Sequence, residues 1–445
     1  MDLGSVWHPF TQMLEWERDR PLFIERAEGN CLIDTEGKRY IDGVSSLWAN
    51  VHGHGRRQIN ERIIEQLGRV SHTTMLGLSH PSAAILADRL VRIAPKGLDR
   101  VFYSESGSTA VEIALKIAYQ YWRNLGADSS AKKSFLCLRE GYHGDTLGAV
   151  SVGGIDLFHA VYKPLLFRPY ISPSPHCYRC ELDLEPGSCG MACSDRVEEI
   201  LENHHEDIAA MIMEPLVQGA GGIRVAPKGY LARARELCRR YDVLFITDEV
   251  ATGFGRTGTM FACEHEGVCP DIMTVGKGIT GGYLPLAATL TTEKIFNAFR
   301  GEYTDFKTFF HGHTYTGNPL ACAAALASLD IFERENVIEH LPPKIEAFEK
   351  GLERLAAHAQ VGNVRQAGLM MGIELVEDKK TRKPFPIEQR MGHRVSMACR
   401  KYGAIIRPLG DVLVLMPPLS IRPDEIRTLL TAVESSIVEL TERTF

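Results

Sequence analysis

Residues 243–258, VLFITDEVATGFGRTG, can be read in two ways. Gly253, Gly255 and Gly258 spell G-x-G-x-x-G behind an apolar run, the spacing of a dinucleotide-binding loop. The run itself ends on two acids, Asp248 and Glu249, which would carry a different chemistry. A dinucleotide loop needs a strand, a tight glycine turn and a helix whose N-terminus meets the pyrophosphate, with a further acid ~20 positions on. Here ten positions separate Asp248 from Gly258, too many for that turn, and residues 259–271 (TMFACEHEGVCPD) hold only a short helix. A nicotinamide dehydrogenase is the weaker reading, and the glycines are expected to serve a loop that needs positive φ.

Around this stretch, short β-rich runs alternate with helical ones. From residue 100 to about 292 the runs are RVFYSES, SFLCLRE, GAVSVGG, AAMIMEP, VLFITDE, DIMTVGK and LAATLTT. Seven candidate strands, several apolar throughout, predict an α/β fold: a mostly parallel sheet with helices on both faces. STAVEIALKIAYQYW (108–122) reads as a helix with a capping-box pattern from Thr109 to Glu112. Upstream, Ile59, Ile63, Ile64, Leu67 and Val70 share one helical face. The composition changes near residue 335. A long helix follows, then two strand-like runs (GLMMGIELV and DVLVLMP) and a terminal helix from Pro423, striped by Ile426, Leu429, Leu430, Val433 and Ile437. The expected organisation is an N-terminal segment (1–58) packing with the small domain, a large α/β domain (59–334) and a small α+β domain (335–445).

Bulk properties narrow the function classes. Of the 445 residues 44% are apolar and 24% charged, as in an ordinary globular protein. The formal charge of −6, with Lys and Arg scattered, gives no footprint for nucleic acid or an anionic membrane. No apolar run approaches the ~18 residues of a membrane span. MDLGSVWHPFTQM lacks the basic and apolar regions of a secretory signal, and most of the eleven cysteines are isolated. A cytoplasmic protein is expected.

The chemistry-bearing residues fall at strand ends. Asp248 closes one buried run and Lys277 closes the next; in open α/β sheets the ligand crevice lies at those carboxyl ends. The two face one ligand or form a structural ion pair. VFYSESGSTAVEIALK is strand, Gly-Ser turn and helix, so N–H groups around Gly107 and Ser108 offer a phosphate site, or an ordinary N-cap. Tyr142, between glycines in GYHGDT, offers a ring for a flat ligand, or packs in the core. Phosphate site, ring, acid and amine together suggest pyridoxal phosphate, with Lys277 as Schiff-base lysine and Asp248 keeping the pyridine nitrogen protonated. At ~4 Å and an effective dielectric near 20, such an acid contributes about 4 kcal/mol, enough to hold that proton at neutral pH.

With Lys277 in PDIMTVGKGITGGYLPLAA, the opening stretch resembles the signature of class III, fold-type I, pyridoxal-phosphate aminotransferases. In that family the glycine loop binds no dinucleotide. WHPFTQM, DGVSSLWANVHGHG, SGSTAVEIALK, GYHGDTLGAVSVG, EPLVQGAGG, HGHTYTGNPLACAAALASL and IIRPLGDVLVLMPPL extend the likeness over nearly the whole chain. They resemble the branch that converts 8-amino-7-oxononanoate to 7,8-diaminononanoate in biotin biosynthesis. The resemblance implies a homodimer acting on small molecules. It gives Lys277, Asp248, Gly107 and Ser108 to the cofactor, with Thr314 serving the phosphate of the neighbouring subunit. It implies Tyr142 and Trp48 along the substrate channel, Arg407 for the far carboxylate, and Gly312 and His313 near substrate or cofactor. The amino donor is S-adenosylmethionine or lysine. Members using S-adenosylmethionine often carry Tyr at the position of Phe10 and HGPTF where this chain has HGHTY, so Phe10, His313 and Tyr315 lean towards lysine. The neighbouring reading is a class III aminotransferase of another ω-amino or keto acid. A scaffold with a vestigial site is a reading from another class, disfavoured by the intact Asp248, Lys277 and Ser108.

One feature stands apart. HCYRCELDLEPGSCGMAC sets Cys177, Cys180, Cys189 and Cys193 in a C-x2-C-x8-C-x3-C pattern. Four thiolates so spaced could hold a structural zinc, though the middle gap is shorter than in common zinc ribbons; two disulfides or a metal-free loop are the alternatives. His311 and His313 also have the spacing of a metal pair, but that loop is already used by the family reading.

Overall fold

The computed structural model describes residues 2–18, 21–126 and 131–441. Seven strands form the central sheet: β1 (Leu98–Ser104), β2 (Ser134–Leu138), β3 (Tyr170–Ser172), β4 (Ile208–Met213), β5 (Leu244–Asp248), β6 (Ile272–Val275) and β7 (Ala287–Thr292). Their spatial order is β1-β7-β6-β5-β4-β2-β3. The β6–β5, β5–β4, β4–β2 and β2–β3 pairs are parallel, while β7 runs antiparallel to both its neighbours. Successive residues of one strand enter opposite cores: Phe245 joins one apolar cluster, and Leu244 and Ile246 join the other. Helices therefore cover both faces, which is why these strands read as unbroken apolar runs.

Two expectations are corrected. GAVSVGG is not a strand; Leu147–Ser151 is a short helix. The seventh strand is β3, an edge strand of three residues just after Pro169. The first long helix, α1 (Gly107–Leu125), is capped by Ser106 with Thr109 rather than by Thr109 with Glu112. Glu112 instead accepts the N–H of Gly148 (2.7 Å) and so holds the loop after β2 against α1.

Further helices are α2 (Ala192–His204), α3 (Tyr230–Arg240), α4 (Pro319–Arg334), α5 (Pro342–Ala356) and α6 (Pro423–Thr441). The expected stripe of α6 is buried at all five positions, from Ile426 to Ile437. The stripe at Arg57–Leu67 behaves otherwise: Ile59 packs on Ala324, Ala327 and Ile331 of α4, but Ile64 and Leu67 are exposed. A second sheet of β8 (Val361–Ala367), β9 (Met370–Leu375), β10 (Arg407–Leu409) and β11 (Val412–Leu415) is antiparallel, in the order β8-β9-β11-β10. The N-terminal strands Ile24–Glu28, Cys31–Asp34 and Arg39–Asp42 form a meander, whose last strand pairs in parallel with Ala404–Ile405.

Candidate active site

The carboxyl ends of β1, β2, β4, β5 and β6 open on one cavity of about 170 Å³. Lys277, Asp248, Gly107, Ser108, Tyr142 and Trp48 line it together. Register brings the acid into place: Asp248 lies opposite Thr274 across the β5–β6 pair, and the Thr274 hydroxyl donates to Asp248 Oδ1 (3.0 Å). The Val250 N–H donates to the same oxygen (3.1 Å), and His143 Nδ1 shares a 2.7 Å hydrogen bond with Oδ2. Lys277 lies two residues beyond β6 and adopts a positive φ of 42°, a strained conformation for a lysine. Burial pushes its pKa below the ordinary lysine value, while Asp248 and Glu214 oppose that shift. Its Nζ stands 5.5 Å from the centroid of the Trp48 ring, whose own N–H is buried without a partner among the described residues.

Two further groups complete the cavity. The fully buried Glu214 accepts N–H bonds from Tyr142 (3.0 Å) and Gly219 (2.7 Å). Burial pushes its pKa up to about 7. At the other end, α1 makes its first backbone hydrogen bond at Ala110, so the N–H groups of Gly107 and Ser108 point out of the helix unspent. Close packing builds this end: a Cβ on Gly107 would fall 2.5 Å from Val250, and one on Gly144 (φ 119°) would overlap the Ser108 hydroxyl. Tyr142 donates its hydroxyl to Asp145 (2.7 Å).

Phe10 and Arg407 are exposed and line a separate cleft of about 430 Å³. Residues 44–48 form the wall between the two spaces: Val44 and Ser46 face the outer cleft and Trp48 the inner cavity. Ser45, Ser46 and Trp48 all have positive φ (51°, 61° and 65°). Asp42 holds this turn by accepting the N–H groups of Val44 (3.3 Å) and Ser46 (2.8 Å). Gly312 and Thr314 are exposed, and neither lines the inner cavity of its own chain. His313 is turned to Glu105 (2.6 Å) and to His311 (3.0 Å).

The sequence profile of the family described as Aminotransferase class-III matches residues 13–437. The chain belongs to the class III aminotransferases. It is 56% identical over 442 residues to the adenosylmethionine-8-amino-7-oxononanoate aminotransferase of Nitratidesulfovibrio vulgaris, covering 99% of this chain and 82% of that one. The protein of that name from Geobacter sulfurreducens is 53% identical, covering 99% and 97%. Its solved counterpart from Methanocaldococcus jannaschii superposes with a TM-score of 0.94 at 48% identity, covering 98% of each chain. An amine transaminase from an uncultivated Pseudomonas species, solved with PLP bound, gives 0.92 at 39% identity and 98% coverage of each.

The class III family implies pyridoxal phosphate, and the cavity's residues fit it. An amine with a lowered pKa, an acid at the neighbouring strand end and unspent N–H groups at the start of a long helix would suit that molecule's aldehyde, ring nitrogen and phosphate. The glycine loop after Asp248 turns Arg256 inward, where the guanidinium donates to Pro417 O (2.6 Å) and Asn50 O (2.8 Å). Sequence reasoning missed His143 and Glu214. Both signals were present, since His143 follows Tyr142 and Glu214 follows β4 at the same sheet edge.

Proposed function

We propose that the chain transfers an amino group to 8-amino-7-oxononanoate, giving 7,8-diaminononanoate, with pyridoxal phosphate as cofactor. One observation carries the reading: the desolvated Lys277 amine shares a cavity with Asp248 and the start of α1. The substrate is the one for which relatives at 53–56% identity are named. When bound, the cofactor supplies an aldehyde that exchanges amines and a ring that accepts the electron pair of a broken substrate C–H bond. Lys277 would hold that aldehyde and, once displaced by substrate, its Nζ takes the substrate proton and returns it, in both half-reactions. Asp248, fixed by Thr274, Val250 and His143, would keep the ring nitrogen protonated. Gly107 and Ser108 would bind the phosphate, and Trp48 and Tyr142 would wall off water. Arg407 would take the remote carboxylate in a bidentate grip. The outer cleft it shares with Phe10 suits a substrate whose two ends lie apart.

The active unit is a homodimer in this reading. Thr314 and Gly312 are exposed and outside their own chain's cavity, as residues serving a neighbouring subunit must be. Donor choice has two readings. Adenosylmethionine appears in the relatives' names, while Phe10, which lacks a phenol, and His313 favour lysine. Adding each donor to the yellow holoenzyme, then 8-amino-7-oxononanoate, tests both points. One donor should bleach the colour and the ketone should restore it. A ketone that cannot reoxidise chemically supplied pyridoxamine enzyme sinks the biotin-pathway reading and leaves a class III aminotransferase of another substrate.

A further inference from the structure

Residues 173–191 run from β3 to α2 without a strand or an α-helix, a long irregular stretch for a compact protein. Its first half is anchored from three sides. The Ser174 hydroxyl donates to Gln218, Arg179 to Glu374 of β9 (2.6 Å), and Arg382 to the Tyr178 carbonyl (2.7 Å). The second half is closed by its own turns, with Ser188 donating to Glu185 O and the Ala192 N–H to Cys189 O. Between the halves lies a cavity of about 410 Å³, outside the cofactor site.

Cys177, Cys180, Cys189 and Cys193 all face this cavity, two from the first half, one from the second and one from the first turn of α2, and none is in a disulfide. Each thiol lies within electrostatic reach of others of the group: Cys177 of Cys180 and Cys189, and Cys193 of Cys177 and Cys189. A second observation points to a ligand. His176 lines the same cavity, is only 6% exposed, and has no hydrogen-bond partner on either ring nitrogen among the described residues. Leaving a buried imidazole unpaired is costly. Among the described residues no three His, Cys, Asp or Glu side chains already converge at ligand distance, so the thiols must swing across the cavity to meet one ion.

We propose that this segment and the first turn of α2 form a structural zinc site, with Cys177, Cys180, Cys189 and Cys193 as its four ligands. Four sulfurs suit a tetrahedral soft-ligand ion, with zinc the expected occupant. Each thiol loses its proton to solvent as its sulfur–zinc bond forms, and no oxidant is needed. His176 donates its ring N–H to one thiolate sulfur, and the Lys228 ammonium, also at the cavity wall, offsets the net negative charge. The ion ties Cys189 and the start of α2, where Met191 and Cys193 pack on the core, to the half anchored on Gln218 and β9, bracing the central sheet against the C-terminal one.

Metal content of the untagged holoenzyme, dialysed against EDTA, is the test, and it is independent of whether the chain transaminates. About one zinc per chain is expected, released as an organomercurial titrates four thiols. Cobalt added to stripped protein should give the intense sulfur-to-metal charge-transfer band of a tetrathiolate, quenched by zinc. A Cys177→Ser/Cys189→Ser pair should lose the metal, keep bound pyridoxal phosphate and become sensitive to a glutamyl endopeptidase at Glu185. Wild-type protein with less than about a tenth of an equivalent, and either four freely titrating thiols or the mass of two disulfides, overturns the proposal.

Discussion

Lys277 sits where its charge is disfavoured. Burial lowers its proton affinity, bringing the amine nearer to a useful base at neutral pH. Lys277→Ala should lose the visible absorbance of the bound cofactor and cut kcat by about 10⁴ or more, the upper range for a positioned acid–base group. Retention of even a tenth of the rate would remove Lys277 from the mechanism. Asp248→Asn should keep the fold yet lower kcat about 10³-fold, the scale of losing a preorganised electrostatic contact. Steady-state kinetics on folded, cofactor-loaded variant decides it. Glu214 gives a prediction with a definite sign. Its pKa rises from 4.5 to about 7 on folding, because burial disfavours the charged form. The folded state therefore holds the proton more tightly, and this group's contribution to stability falls as pH rises from about 4.5 through about 7. Compared with Glu214→Gln, wild type should lose up to about 3 kcal/mol across that window. Denaturant unfolding at pH 5 and 8 reads the difference, and a constant offset between the two proteins would show that Glu214 is not desolvated.

Strand β5 and the loop after it show how an element places such groups. One register step would turn Asp248 to the other face of the sheet, so the parallel pairing with β6 is part of the site. Gly255 in the following loop has φ 86°, and a Cβ there would lie 2.6 Å from Leu419. Gly255→Ala should cost about 2–3 kcal/mol through strain and overpacking, read as a lower thermal midpoint. The strands with apolar residues on both faces were legible for the same reason that they are buried. GAVSVGG misled because its β-branched residues sit between glycines in a helix too short to show a helical period. β3 escaped notice because three residues at a sheet edge carry almost no pattern. At the site, strand ends marked Asp248 and Lys277. The same rule would have marked His143 and Glu214, but what each touches could not be read, because Asp248 and Tyr142 lie at or beyond the ends of other strands.

At the scale of the whole molecule, several large apolar side chains stand exposed. Leu76 (89% exposed), Tyr303 (92%) and Phe310 (75%) would be hard to leave in water, and Phe310 and Tyr315 flank the exposed Gly312 and Thr314. In the dimer reading a second copy covers them. Sedimentation of wild type should give a dimer, and Phe310→Asp with Tyr315→Asp should shift it towards monomer and drop activity at least 10-fold, since each desolvated aromatic is worth about 2 kcal/mol or more. An active monomer would break the reading. The turn between the two cavities has a final consequence for anyone engineering this enzyme. Ser46 sits at φ 61° and ψ −80°, a conformation that glycine enters freely and serine does not. A library selected only for survival at high temperature should collect glycine at 46, trading strain of about 1–2 kcal/mol for a wall that bends. Heat resistance and discrimination between substrates would then be bred in opposite directions by one codon.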